Sequence, residues 1–265
     1  MSSRQPDPST NDGCHTFQLI HGDGEFNSVG LKDFETKVQL NQNVSYAVVA
    51  IIGPQSSGKS TLLNYLFGTN FTTMDSSSGR SQTTQGIWLA CPNIESKHFM
   101  LVMDIEGTDG SERQGDTTFE KQSGLFALAV ANVVMVNIWY TDIGREQGAG
   151  KPLLSALLQQ IWDSIPTPKG KNISLDEVFE VKFVFLPHYE YQNEDFRKEV
   201  LIFQKRLVQY CTAAGDQKLP TSGFSTYAQT IWIDIKGNKN LNLPAHKVTF
   251  LFKKAFGGYG GNNTL

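Results

Sequence analysis

The sequence is poor in the residues that staple small extracellular or metal-dependent domains. Its 265 residues include three cysteines, Cys14, Cys91 and Cys211, with no C-x-x-C pair among them. This spacing argues against a disulfide framework and a zinc site, and fits reduced thiols in a cytosol-facing protein. The five histidines fall at no H-x-x-x-H spacing and read as ordinary surface or core residues. Charge is also modest. Charged residues make up 18% of the chain and the formal net charge is −3, which gives no electrostatic footprint for nucleic acid. Long hydrophobic runs are missing too. The most apolar stretch, Leu125 to Trp139, is interrupted by Asn132 and Asn137. It is shorter than the ~18–20 residues of a membrane span and reads as a buried helix running into a buried strand, so no transmembrane segment is expected. The opening MSSRQPDPSTNDG lacks the apolar centre of a signal peptide; polar and with two prolines, it reads as a disordered lead.

What is present suits one sizeable soluble core, with 39% hydrophobic residues. Val44 to Ile52 (VSYAVVAII) is a near-continuous β-branched run, as in a strand buried on both faces of a parallel sheet. A glycine-rich turn follows, and Lys59 to Phe67 has helical apolar spacing. Residues 68–85 read as a long polar loop. Gly86 to Cys91 and Phe99 to Asp104 form an expected hairpin about Pro92-Asn93. A helix over 117–131, a strand from Val133 to Tyr140, a polar loop over 141–151 and a helix from Leu153 to Trp162 come next. A strand from Val178 to Leu186 and a helix over 193–211 follow, and the tail Gly257 to Leu265 is low in complexity. This alternation predicts a three-layer α/β domain with ligands at the carboxyl ends of its strands.

The turn GPQSSGKS matches G-x-x-x-x-G-K-S, a P-loop made of Gly53, Pro54, Gln55, Ser56, Ser57, Gly58, Lys59 and Ser60. Wrapping a phosphate in successive backbone N–H groups needs dihedrals that glycine tolerates and leaves little room for side chains. The helix that starts near Lys59 adds its free N–H groups and positive dipole end. Lys59 reaches the β- and γ-oxygens, and the Ser60 hydroxyl ligates Mg²⁺. By average residue usage, a random chain of this length would match on the order of once in a hundred. Here the match also lies between a buried strand and an amphipathic helix, as the chemistry requires.

Asp104 ends the hydrophobic run FMLVMD and continues as Ile105, Glu106, Gly107. A carboxylate at such a strand end is where an NTPase holds Mg²⁺ through water, and Gly107 would follow the γ-phosphate with its N–H. Thr83 and Thr84 lie in the loop before Gly86-Ile87-Trp88, where a threonine can ligate Mg²⁺ and order the loop. Arg80 in the same loop is a candidate charge stabiliser, with a solvated loop arginine as the competing reading. No residue is assigned to reading the base.

With GPQSSGKSTLLN, QTTQGIW, DIEGTDG and NIWYTDIGREQGAGKPLL in series, the chain resembles a Root hair defective 3-type GTPase. That is the plant branch of the atlastin-like, dynamin-superfamily proteins. The resemblance runs from about Asp23 to His246. It implies a dynamin-like G domain, GTP hydrolysis with Mg²⁺, nucleotide-dependent homodimers through that domain, and homotypic fusion of endoplasmic reticulum membranes from their cytosolic face. By motif, Thr84 takes the switch-threonine position, and Gln85 stands where the family has lysine. The family's P-loop arginine has no counterpart here.

The resemblance also implies that the domain is incomplete. Between Leu154 and Gln160 the chain passes directly to a segment that the family places later. The family's intervening helix, strand and base-reading Arg-Asp pair are missing; Arg145-Glu146 belongs to the DIGREQ loop instead. The implied layout is a disordered lead over 1–22, a G domain over 23–247 with an internal deletion near 154–160, and a divergent tail over 248–265. Loss of a central strand would expose the flank of Val133 to Tyr140 unless the chain repacks. The family's helical stalk and membrane hairpin are likewise absent from this sequence. A non-hydrolysing interaction fragment and an ATPase of altered base preference remain as competing readings.

Overall fold

A computed structural model describes residues 14–40, 45–73, 84–94, 96, 99–107, 118–139, 179–214 and 223–237, with 248–256 described as backbone. The elements are β1 (His15–Ile20), α1 (Ser28–Lys37), β2 (Tyr46–Ile52), α2 (Lys59–Phe67), β3 (Ile87–Cys91) and β4 (Phe99–Ile105). They continue as α3 (Thr118–Val130), β5 (Val133–Trp139), β6 (Phe179–Pro187), α4 (Asn193–Ala214), α5 (Phe224–Gly237) and β7 (Val248–Phe256). The seven strands form one sheet in the order β1-β3-β4-β2-β5-β7-β6. β3 runs antiparallel to β1 and β4, while β4, β2, β5, β7 and β6 are mutually parallel. Their carboxyl ends therefore share one edge.

β2 shows why the sheet needs helices on both sides. Six of its seven residues are buried; Val48 and Ala50 enter one core, and Ala47, Val49 and Ile51 enter the other. Period-two alternation sends successive side chains to opposite faces, so an apolar run without polar breaks must be covered twice. α1, α3 and α5 cover the first face, and α2 and α4 cover the second. Burying Leu62, Leu63, Leu66 and Phe67 of α2 stabilises that contact by about 2 kcal/mol per side chain. On the opposite face Trp232 of α5 is fully buried, edge-on to Phe119 and Phe126, and its Nε1 donates to Gly24 O at 3.0 Å. The three-layer α/β expectation holds.

Two stretches differ from the sequence reading. The lead expected to be disordered over 1–22 includes a strand. His15–Ile20 forms β1, paired with β3 from His15↔Cys91 to Ile20↔Ile87 with an irregularity between Gln18 and Ile20, and Leu19 and Ile20 are completely buried. Residues 1–13 lie outside the described residues. Val248–Phe256, expected as a divergent tail beyond the domain, is a sheet strand between β5 and β6. The loop expected over 141–151, the helix from Leu153 to Trp162 and the tail after 256 also lie outside the described residues. Among the described residues no helix is long and apolar enough to cross a membrane.

Candidate nucleotide site

The P-loop lies where β2 leaves the sheet and α2 begins. Gly53 has φ +146, and a Cβ placed on it would come within 2.2 Å of Asn137 O on β5. Only glycine lets the turn press so closely on that strand. Asn137, 2% exposed, completes the clasp: its Nδ2 donates to Ser57 O and lies 3.3 Å from Ser57 Oγ. The Trp139 indole Nε1 donates to Ser56 O at 3.4 Å. α2 then starts at Lys59, with Gly58 as its N-cap residue.

Lys59 turns back over the loop, and its Nζ donates to Gly53 O at 3.1 Å and Pro54 O at 2.9 Å. Burial lowers its pKa, an effect opposed by the charges of Asp104 and Glu106. The ammonium thus stands buried with two carboxylates close by, where charges interact more strongly than in water.

Ser60, Thr84 and Asp104, distant in sequence, meet at this edge. The register Ile51↔Asp104 sets the acid level with the end of β2. Ser60 Oγ donates to Asp104 Oδ2 at 2.6 Å and lies 3.2 Å from Thr84 Oγ1, which itself approaches Asp104 Oδ2 at 3.4 Å. Asp104 is 1% exposed, and its Oδ1 has no hydrogen-bond partner among the described residues. Burial pushes its pKa up to about 6, against the opposing pull of Ser60, Lys59 and Thr84. A buried carboxylate oxygen with no partner is costly unless a ligand meets it. Two hydroxyls and a carboxylate form an all-oxygen donor set, which fits a hard divalent cation such as Mg²⁺.

Gly107 packs directly on the loop. A Cβ there would come within 2.6 Å of Gln55 Cα and 2.9 Å of Lys59 Nζ. The preceding residue, Glu106, ties the approach of Thr84 to β4: Gly86 N donates to Glu106 Oε2 at 2.7 Å, and Glu106 N donates to Gly86 O at 2.9 Å. Thr83 and Arg80 lie outside the described residues, as do Arg145 and Glu146. The sequence reading did not single out Asn137, Trp139 or Glu106 as site residues. For Asn137 a signal existed, since it interrupts an otherwise apolar run. Asn132, the other interruption, accepts from Val48 N at 2.7 Å and fixes the start of β5 beside β2.

A family model described as the Root hair defective 3 GTP-binding protein (RHD3) GTPase domain matches residues 52–160 and 156–244. Protein ROOT HAIR DEFECTIVE 3 homolog 2 of Arabidopsis thaliana is 47% identical over 283 aligned positions, covering 89% of this chain and 34% of that protein. Protein ROOT HAIR DEFECTIVE 3 of Oryza sativa subsp. japonica is 46% identical, covering 89% of this chain and 35% of that protein. Protein SEY1 homolog 2 of Entamoeba dispar is 35% identical, covering 87% and 34%. The chain spans about a third of the length of these relatives. Since 89% of 265 residues is about 236, roughly 47 of the 283 positions aligned with the first relative have no counterpart here. Among solved structures, the bacterial selenocysteine-specific elongation factor EF-Sec aligns with a TM-score of 0.33 and 15% identity, covering 75% of this chain and 30% of that one. The family match extends over well more than half of the sequence, and this chain belongs to the Root hair defective 3 GTP-binding protein family, whose GTPase domain model it matches.

Proposed function

We propose that this chain binds GTP with Mg²⁺ and hydrolyses it to GDP and phosphate. The observation that carries this reading is the meeting of Ser60, Thr84 and the half-partnered Asp104 beside the P-loop. When bound, Mg²⁺ would draw charge from the β- and γ-phosphate oxygens. Ser60 and Thr84 would supply hydroxyl ligands to the ion, and Asp104 would hold it through water. The backbone N–H groups of Gly53 to Ser60 wrap the phosphates, and the N-terminus of α2 adds its dipole. Lys59 exchanges its two carbonyl contacts for the β- and γ-oxygens. Gly107 meets the γ-phosphate with its N–H, and Thr84 helps to place the attacking water. That water's oxygen bonds to the γ-phosphorus as the bond from phosphorus to the β,γ-bridging oxygen breaks. GDP leaves with the bond pair, and the water proton passes to phosphate or solvent. Positioning and electrostatics do most of such catalysis, so no strong general base is required.

In the family that the sequence resembles, this step would drive pairing of G domains and fusion of endoplasmic reticulum membranes at their cytosolic face. The roughly 47 relative positions without a counterpart here favour a second reading, in which nucleotide binds but does not turn over. Turnover of GTP against ATP by purified protein, with sedimentation in a non-hydrolysable GTP analogue, separates the two. GTP turnover with analogue-dependent dimers supports hydrolysis; retained binding without turnover supports the second reading. Undiminished binding of labelled GTP by Lys59→Ala would sink the phosphate-site assignment itself.

A further inference from the structure

β7 follows every other described element in the chain, yet it stands in the interior of the sheet. It runs parallel to β5 from Val133↔Thr249 to Trp139↔Ala255, and parallel to β6 from Phe179↔Val248 to Pro187↔Phe256. Among the described residues β6 pairs with no other strand, so β7 is its hydrogen-bonded connection to the rest of the sheet.

The family-model match does not reach this strand. The match ends at residue 244, before β7 begins at 248. It also splits at 156–160, between β5 and β6 in the chain. A parallel strand with its crossover helix takes about 30 residues, and roughly 47 relative positions have no counterpart in this chain. That length suffices to remove one strand–helix unit between β5 and β6. Without an occupant, the facing edges of both strands would present unpaired N–H and C=O groups. Those edges belong to strands whose Val133, Val134, Met135 and Leu186 are at most 1% exposed.

We propose that the gap between β5 and β6 is a strand-acceptor slot, and that Val248–Phe256 of this chain is its occupant, taken from outside the family match to complete the sheet that bears the P-loop. The occupant is suited to the place. VTFLFKKAF is rich in β-branched and aromatic residues and has no internal proline. Its nine residues match the length of β6 position for position.

The slot is coupled to the phosphate site through Asn137. This residue pairs in register with Lys253 of β7, abuts Gly53 through its carbonyl oxygen, and holds Ser57 through its amide. Inserted β7 thus braces the strand end that clasps the P-loop, and bound nucleotide in turn favours insertion, since such coupling is reciprocal. This coupling rests on the nucleotide binding proposed above, whereas the insertion itself does not.

The test uses the full chain. Glu180→Cys with Thr249→Cys places thiols at a directly paired position, at the end of the sheet away from the P-loop. Mild oxidation should join residues 180 and 249, read by peptide mapping. Glu180→Cys with Phe256→Cys, separated by about 23 Å of strand, should not join. Phe252→Pro, which puts proline in an interior strand, should abolish the cooperative melt or lower GTP affinity at least tenfold. No cross-link between 180 and 249, or native melting and affinity in Phe252→Pro, overturns the proposal. A 180–249 cross-link in the double variant, together with no nucleotide binding by the wild-type chain, would overturn the functional reading alone.

Discussion

Around β4, β2 and β5 the chain places its site residues in loops and strand ends that follow directly from regular elements. Gly53 to Gly58 follows β2, Glu106 and Gly107 follow β4, and Asn137 lies near the end of β5. On the other side of β5 the order is inverted. β7 follows β6 in the chain by way of α4 and α5, yet pairs between β6 and β5. The first region concentrates chemistry, with buried Lys59 and Asp104 held at a cost to stability. The second supplies enclosure, through Leu186 of β6 and Phe196, Val200, Phe203 and Leu207 of α4 in one core. Damage on the two sides should therefore separate binding from folding.

The sharpest break is expected at Lys59→Ala. Removing the buried cation should lower GTP affinity more than a hundredfold, while the melting temperature stays within a few degrees, because a desolvated charge is lost with it. Titration with a fluorescent GTP analogue and thermal melts read both quantities. On the enclosure side, Phe196→Ala removes a ring that is 1% exposed and edge-on to Tyr65 and Tyr189. It should cost ~3–5 kcal/mol in denaturant unfolding, with GTP affinity of the folded fraction little changed. Equal losses of affinity in both variants would erase the distinction.

Asp104→Asn turns the comparison around. The carboxyl is raised to about 6 from an ordinary 3.8, so the folded nucleotide-free protein keeps a proton that the unfolded chain has released between those values. Its stability must therefore fall as pH rises from about 4 to about 6, by on the order of 3 kcal/mol. In Asp104→Asn that fall should vanish: melts above pH 6 should move upward while Mg²⁺-dependent GTP binding is lost. A wild-type melting profile that is flat across this window would contradict the burial argument. Gly107→Ala should lower turnover at least tenfold with a smaller effect on GDP affinity, since its new methyl would crowd Gln55 and Lys59. The smallest change is expected in Asn137→Ala, where loss of the amide clasp on Ser57 weakens GTP binding by ~1–2 kcal/mol. Isothermal titration checks it.

Much of the fold could be read from residue order. Lys59–Phe67 and the β3–β4 hairpin follow from apolar spacing and a Pro-Asn turn, and α3 and β5 follow from one apolar run divided at Asn132. β1 was hidden because HTFQLI is short and adjoins a polar, proline-bearing lead. α5 has helical spacing in Phe224, Ala228, Trp232 and Ile235, but Thr226, Thr230, Ile231 and Ile233 weaken its local preference. Burial of Trp232 against Phe119 and Phe126 outweighs that propensity. In the site, the P-loop can be read as a string, whereas the Glu106 clasp on Gly86 and the Asn137 clasp on Ser57 join residues 20 and 80 positions apart.

By itself the sequence determined the phosphate turn and the family, because a P-loop is set by consecutive backbone dihedrals and by the strand and helix that flank it. It also named Ser60, Thr84 and Asp104 as one ion-holding set, whereas only the tertiary structure decided how closely they approach one another, that Asn137 holds the turn, and that Val248–Phe256 stands between β5 and β6. Strand pairing satisfies backbone groups without naming their partner in the sequence. An apolar strand therefore declares that it will be buried, while the edge left open elsewhere in the sheet decides where.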